Sequence, residues 1–373
     1  MSGVWDFLKR HRGKIIAGAV AAGGAFVVQQ AWRNSSLQLG SGWNRDREFN
    51  RSQIEAQRHY IYDTQHRTCD ISILNLLPSI AKRIALYFDV EALIEDLRNN
   101  KELSKEQRFI QWQDIKVKAI GRMVAVAYAF SLITVTLKCQ ISILAAQLSA
   151  SLTEKEEDYW WNQYLPENFK FSTSLMNLIS PQKCTVDSSS QQIFMKCCQF
   201  FISTGLDDLL KNIESVSRAQ LDELELKTPI DGEHLKAILL NLKRSMDLLH
   251  CRHFSYFIVP KYANKNGFAL PNLGQLNALL KRLVEMLEST KCKEVTSSLV
   301  DFFFDAVVNY INQHNTNKEM PMARMLPLIT DSFHTLSRNG FDSPIQNILC
   351  SIELHSLSMH DKQRLRRITG CSI

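Results

Sequence analysis

Fifteen consecutive residues without a charge, Met123–Leu137, lie in the middle of a long segment with helical spacing. A helix that is apolar on every side must be surrounded either by other helices or by lipid. Arg122 and Lys138 bracket the run, which is shorter than the ~20 residues that a membrane-spanning helix needs. We therefore predict that this segment is the central, buried helix of a large bundle.

The rest of the chain also favours helices, because apolar residues recur at helical spacing. The predicted helices are Asp46–His66, Ile71–Phe88, Ala92–Asn100, Ser104 to about Ala150, Gln191–Val216, Glu233–His250, Leu273–Glu288, Val295–Gln313, Met322–Leu336 and Pro344–Leu357. Residues 151–190 are predicted to be loops with short helices, and Phe254–Val259 is the one run compatible with an extended strand. The predicted fold class is all-α: a large bundle of long helices behind a single N-terminal membrane anchor.

The N-terminal segment joins a basic cluster to a short apolar run. The cluster consists of Lys9, Arg10, Arg12 and Lys14. The run extends from Ile15 to Val28, and its large apolar members are Ile15, Ile16, Val20, Phe26, Val27 and Val28. It completes a membrane span only if Trp32 lies at the interface and Lys14 snorkels. We interpret residues 1–33 as a membrane anchor and targeting segment; a secretory signal peptide and a buried soluble helix are the alternatives.

Residues 34–45 are small and polar, which predicts a linker, and residues 46–373 then form the body. The nine cysteines have no regular spacing, which favours a reducing compartment and hence a cytosolic body. The positive-inside rule would instead place the basic cluster in the cytosol, and both ends of one span cannot be cytosolic. We give priority to the cysteines, because that rule describes only one route of membrane insertion.

No motif predicts an enzyme. The chain has no glycine-rich phosphate loop, no G-x-S-x-G and no H-E-x-x-H. His250 and His253 are spaced to share a helix face, but no further Cys/His pair stands nearby at metal-ligand spacing. The net charge of +6 is not gathered into an arginine-rich stripe, so nucleic acid is not an expected partner. We expect no cofactor, no metal and no small-molecule substrate.

Four blocks resemble the peroxin-three family of peroxisomal membrane proteins. They are residues 4–11 (VWDFLKRH), 65–78 (QHRTCDISILNLLP), 111–116 (QWQDIK) and 320–327 (MPMARMLP). The order of basic cluster, short anchor and charged helix is also similar to that of the family. The likeness covers about residues 1–140 and recurs in patches afterwards.

The resemblance implies a single-pass protein of the peroxisomal membrane with the bulk of the chain in the cytosol. It implies docking of peroxin nineteen, the soluble chaperone and import receptor for newly made membrane proteins, so that its cargo can be inserted. In the family, an amphipathic helix of this receptor packs into an apolar groove at one end of the bundle.

The positions that match the family's groove are few. Trp112 matches the tryptophan at its base, and Phe109, Ile115 and Ala119 fall near the same helix face. Leu97 matches a lining leucine, and Arg98, Arg108 and Arg324 match the cationic rim. The alternative functions are a membrane-anchored helical enzyme or lipid-handling protein with an internal cavity, and a purely structural organelle tether.

Overall fold

The computed structural model describes residues 69–70, 72–100, 102–164, 188–250, 253–260, 273–315 and 319–337. Nearly all of these residues are helical, and the strands among them are only two residues long. The predicted all-α fold class is therefore confirmed. The anchor, the linker and the predicted helices Asp46–His66 and Pro344–Leu357 lie outside the described residues and stay predictions.

Ten helices follow one another in the described residues. They are α1 (residues 72–87), α2 (Val90–Asn99), α3 (Lys105–Tyr164), α4 (Ser188–Phe200), α5 (Leu206–Leu221), α6 (Gly232–His250), α7 (Ser255–Ile258), α8 (Leu273–Leu287), α9 (Thr290–His314) and α10 (Met322–Leu336). A π-turn, Phe201–Gly205, joins α4 to α5. The strands β1 (Pro229–Ile230) and β2 (Met320–Pro321) pair in antiparallel orientation.

Helix α3 is the axis of the bundle, and α2, α4, α5, α6, α8, α9 and α10 all pack against it. Nearly every side chain from Ile115 to Ile143 is buried. The segment Lys105–Leu144 is long and apolar enough to cross a membrane, but its most apolar window is 100% buried inside the bundle. This burial agrees with the prediction that the uncharged run is the central helix of the body.

Two local predictions are wrong. Helix α3 continues to Tyr164, although loops were predicted from residue 151 onward. The acidic residues at 154–158 do not end it, because glutamate and lysine are good helix formers. The run Phe254–Val259 contains a helical turn, Ser255–Ile258, in place of an extended strand. Such a short apolar run has too few residues to distinguish the period of a helix from that of a strand.

Candidate docking surface

Helix α3 begins with a capping box. The hydroxyl of Ser104 accepts the backbone N–H of Gln107 at 3.1 Å, and the side-chain oxygen of Gln107 accepts the N–H of Ser104 at 3.0 Å. Two N–H groups that the first turn would leave unpaired are thereby satisfied. The first turns of α3 are therefore regular helix, even though residues 104–110 are exposed.

One turn at this end of α3 carries an exposed apolar surface. Phe109 is 57% exposed, Ile110 60% and Trp112 37%. Eight large apolar side chains are exposed among the described residues, and three of them belong to this turn. Single exposed apolar residues are ordinary, whereas a cluster marks an interaction site. Phe109 and Trp112, which are three residues apart and therefore share a helix face, are called the Trp112 surface below.

Helix α2 lies alongside, antiparallel to α3. The amide of Gln111 donates a hydrogen bond to Asp96 at 2.6 Å, and farther along α3 the guanidinium of Arg122 donates to Glu91. Leu97 follows Asp96 and packs, half-buried, against the core. Helix α2 therefore forms one flank of the Trp112 surface.

Helix α10 begins at the same end of the bundle. Lys116, one turn after Trp112, is buried, and its Nζ donates to the carbonyl oxygens of Leu221 and Leu224 at 2.6 and 2.5 Å. Two residues farther on, the same loop accepts the backbone N–H of Ala323 at 3.0 Å. The loop thus ties the start of α10 to the end of α3 that carries Trp112.

Three exposed arginines come from the three helices that meet at this end. They are Arg98 in α2, Arg108 in α3 and Arg324 in α10. Because the contacts above hold these helices together, the three positive charges belong to the same end of the bundle as Trp112. Such an arrangement attracts an acidic partner and orients it during encounter.

Ile115 differs from its predicted place. It is 1% exposed, as is Ala119, so both lie in the core beneath the surface. One turn beyond Trp112, the neighbouring helices cover α3. Residues that share a helix face with Trp112 are therefore buried there. Sequence reasoning passed over Ile110, the most exposed member of the turn, because it lies off the face that contains Trp112.

One cavity among the described residues, between α3, α6 and α9, is small. It measures about 20 Å³ and is lined by residues that include Tyr128, Lys243, Phe254 and Thr296. That volume accommodates about one water molecule, whereas ligand pockets measure roughly 300–1,000 Å³. The cavity gives no support to an enzyme or lipid-handling protein that works from inside the bundle.

His253, one of the two histidines considered above as metal ligands, belongs to an ion-pair network. His253 pairs with Glu288, which also accepts a hydrogen bond from Ser255 at 2.5 Å and lies 3.0 Å from Lys293. Burial alone would raise the pKa of Glu288, but these three partners together hold the pKa below its usual value. The network joins α7, α8 and α9.

The fold and this surface define a class: an all-helical protein with an exposed apolar turn at the end of the bundle where three helices each carry an exposed arginine. A family model described as Peroxin-3 matches residues 105–359. The chain therefore belongs to the Peroxin-3 family, and the resemblance seen in the sequence is confirmed.

Full-length relatives agree with this assignment at low identity. Peroxisomal biogenesis factor 3 of Homo sapiens is 19% identical, with 93% of this chain and 92% of that protein covered. The protein of the same name from Cricetulus longicaudatus is 20% identical over the same shares. Peroxisome biogenesis protein 3-2 of Arabidopsis thaliana is 18% identical over 93% of this chain and 96% of its own. Family membership supports a role in peroxisome biogenesis at the peroxisomal membrane and does not point to an enzyme.

Proposed function

We propose that this chain is a membrane-anchored docking receptor for peroxin nineteen, which enables the insertion of peroxisomal membrane proteins. The observation that carries the proposal is the exposed turn Phe109–Trp112, at the end of the bundle where three helices each carry an exposed arginine, on a chain of the Peroxin-3 family. The receptor's amphipathic helix covers this turn with its apolar face, which is the helix-in-groove mode of recognition. No chemical reaction and no cofactor are involved.

The surface suits this role because it is formed before the partner arrives. The capping box at Ser104 fixes the first turns of α3, and α2 and α10 flank them. A preformed helical surface loses little conformational entropy on binding, so more of the contact energy remains as affinity. Arg98, Arg108 and Arg324 add electrostatic steering toward an acidic partner.

The anchor determines where docking takes place. In this proposal residues 1–33 cross the peroxisomal membrane once, with the N-terminus in the lumen and the helical body in the cytosol. All five cysteines in the described residues are buried and form no disulfide with one another, as is usual in a reducing compartment. Helix α3 is the second long apolar segment of the chain, and its most apolar window is already covered by protein. Its burial is therefore consistent with a single membrane span at the N-terminus.

Calorimetric titration of the full chain in detergent with purified peroxin nineteen tests the docking. We expect saturable binding that the combined charge reversal of Arg98, Arg108 and Arg324 to glutamate weakens at least tenfold. The matched control reverses three exposed cations on other helices, Lys196, Arg244 and Lys281, and should bind normally. Absence of binding by the wild-type chain, or equal losses in both triple variants, would refute the proposal.

The topology has its own test in cells. Residues 1–33 fused to a fluorescent reporter should localise to peroxisomes, and the full chain should remain in the membrane pellet after carbonate extraction. Protease added to intact organelles should digest the helical body. Release by carbonate, secretion with cleavage after the apolar run, or protection of the body would each contradict the single-anchor arrangement.

A further inference from the structure

Helices α2 and α10 flank the Trp112 surface, and α2 is buried much less than α10. Its one fully buried side chain is Val90, in the first turn, whereas α10 buries seven side chains along its length. The other apolar residues of α2, namely Leu93, Ile94 and Leu97, are half-buried. A helix with so little buried surface depends on few contacts for its position.

Two polar contacts tie α2 to α3, one near each end of α2. Near its C-terminal end, Gln111 donates to Asp96 in an exposed hydrogen bond, which water readily replaces. Near its N-terminal end, both carboxylate oxygens of Glu91 accept from Nη1 of Arg122, each at 2.9 Å. Hydrogen bonds between charged groups are the stronger kind, so Arg122 provides the main polar tie.

Arg122 is completely buried, and its guanidinium lies over the ring of Phe333 at 4.3 Å from the centroid. Within the described residues, its Nε and Nη2 have no hydrogen-bond partner. A buried, partly unpaired cation is costly, and buried ion pairs in proteins can often be replaced by apolar side chains of similar volume without loss of stability. Stability alone therefore does not account for an arginine here.

The contacts of Arg122 join three helices at one point. Arg122 belongs to α3 and reaches α2 through Glu91 and α10 through Phe333. His334 of α10 completes the group, because its Nε2 lies 3.2 Å from a carboxylate oxygen of Glu91. Helices α2 and α10 thus meet at this group, and from it both run along α3 toward the Trp112 surface.

We propose that the Glu91–Arg122 pair is a latch that holds α2 in place and so sets the access of the receptor helix to Trp112. While the pair is intact, Leu97 is held beside α3 and forms one wall of the docking surface. When it breaks, α2 loses this charged tie to α3 and opens locally more often, so the wall formed by Leu97 is lost more often. In this proposal the Glu91–Arg122 pair does not contact the receptor, and its role is to position α2. The inference rests on the proposed function.

Glu91→Gln tests the latch in the full chain in detergent, because it removes the charge and keeps the size of the side chain. Without receptor, the amides of α2 should exchange with deuterium about tenfold faster than in the wild type, since α2 opens locally more often. The affinity for purified peroxin nineteen should fall about tenfold, a usual size for coupling between two parts of a protein. Bound receptor should slow the exchange of α2 again.

The control is Asp207→Asn, which removes a carboxylate of similar exposure from its pair with Arg83, between α1 and α5; Arg83 itself is more exposed than Arg122. It should lower the melting temperature by less than Glu91→Gln does, because Arg83 stays partly hydrated whereas Arg122 is left buried without its partner, and it should leave both the exchange of α2 and the receptor affinity unchanged. Unchanged exchange or affinity in Glu91→Gln, or equal losses in Asp207→Asn, would overturn the latch.

Trp112→Ala separates a failure of the latch from a failure of the proposed function. If Trp112→Ala binds the receptor normally, the docking surface itself is wrong, and the latch has no surface to control. If Trp112→Ala is impaired while Glu91→Gln binds normally, the docking function stands and only the latch is overturned.

Discussion

Truncation of Trp112 to alanine is the most direct test of the docking surface, and the structure sets the size of its effect. An aromatic side chain buries about 150–250 Å² in full. The ring is 37% exposed, so docking removes at most about 55–90 Å² of it from water. At ~25 cal/mol per Å² this amounts to about 1.4–2.3 kcal/mol, which predicts a 10- to 50-fold loss of receptor affinity for Trp112→Ala.

The same substitution also lowers stability, because about two thirds of the ring is already buried in the free protein. A matched control is therefore needed, and Phe302→Ala provides it. Phe302 is 39% exposed on α9. Its neighbour Phe303 packs against Phe130 with tilted rings, and Phe130 lies 18 residues along α3 from Trp112, or about 27 Å. This control should lose stability without losing receptor affinity.

Calorimetric titration with peroxin nineteen, at a temperature where circular dichroism shows both variants folded, measures the two affinities. Equal affinities of Trp112→Ala and the wild type would refute the reasoning, because the exposed ring would then not be covered on docking. An equal loss in Phe302→Ala would refute it as well, since the effect would then follow global stability.

Arg324→Glu should reduce the association rate constant for the receptor and weaken its dependence on salt, because an exposed charge mainly steers encounter; surface plasmon resonance at two ionic strengths measures this, and an effect confined to dissociation would contradict it. Gly205→Ala should destabilise strongly, by several kcal/mol, because an added Cβ would lie 1.8 Å from the carbonyl oxygen of Phe257; a neutral result in urea unfolding would argue against the packing of the π-turn. The lowered pKa of Glu288 means that its stabilising effect is complete above the pKa of the unfolded chain and is lost as pH falls through the lower folded value. The difference in unfolding free energy between the wild type and Glu288→Gln should therefore shrink below about pH 5, and a constant difference down to pH 3 would contradict the assignment.

The helices could be predicted from the spacing of apolar residues, because this periodicity is a property of residues close together in the sequence. The predicted helix Met322–Leu336 has the same ends as α10, and the predicted central helix is α3. The family could be recognised for a similar reason, since the blocks around Trp112 and Arg324 are continuous in sequence. Such features need no knowledge of which helices are neighbours in space.

The depth of a residue and its contacts with distant residues depend on the packing of helices that are far apart in sequence. Spacing placed Ile115 on the face of Trp112, but the neighbouring helices bury it one turn farther along. Arg122 appeared in the sequence only as the end of an uncharged run. Its pairing with Glu91 and its stacking on Phe333 exist because α2 and α10 meet across α3.

The sequence by itself determined that this protein is a helical bundle of the Peroxin-3 family, because helical period and family motifs are properties of adjacent residues. Only the tertiary structure decided which apolar residues of α3 remain exposed and which charged side chain lies in the core. Burial is a property of the whole assembly of helices: each face of α3 is covered or left open by segments that can be more than two hundred residues away, as in the contact of Met123 with Ser332.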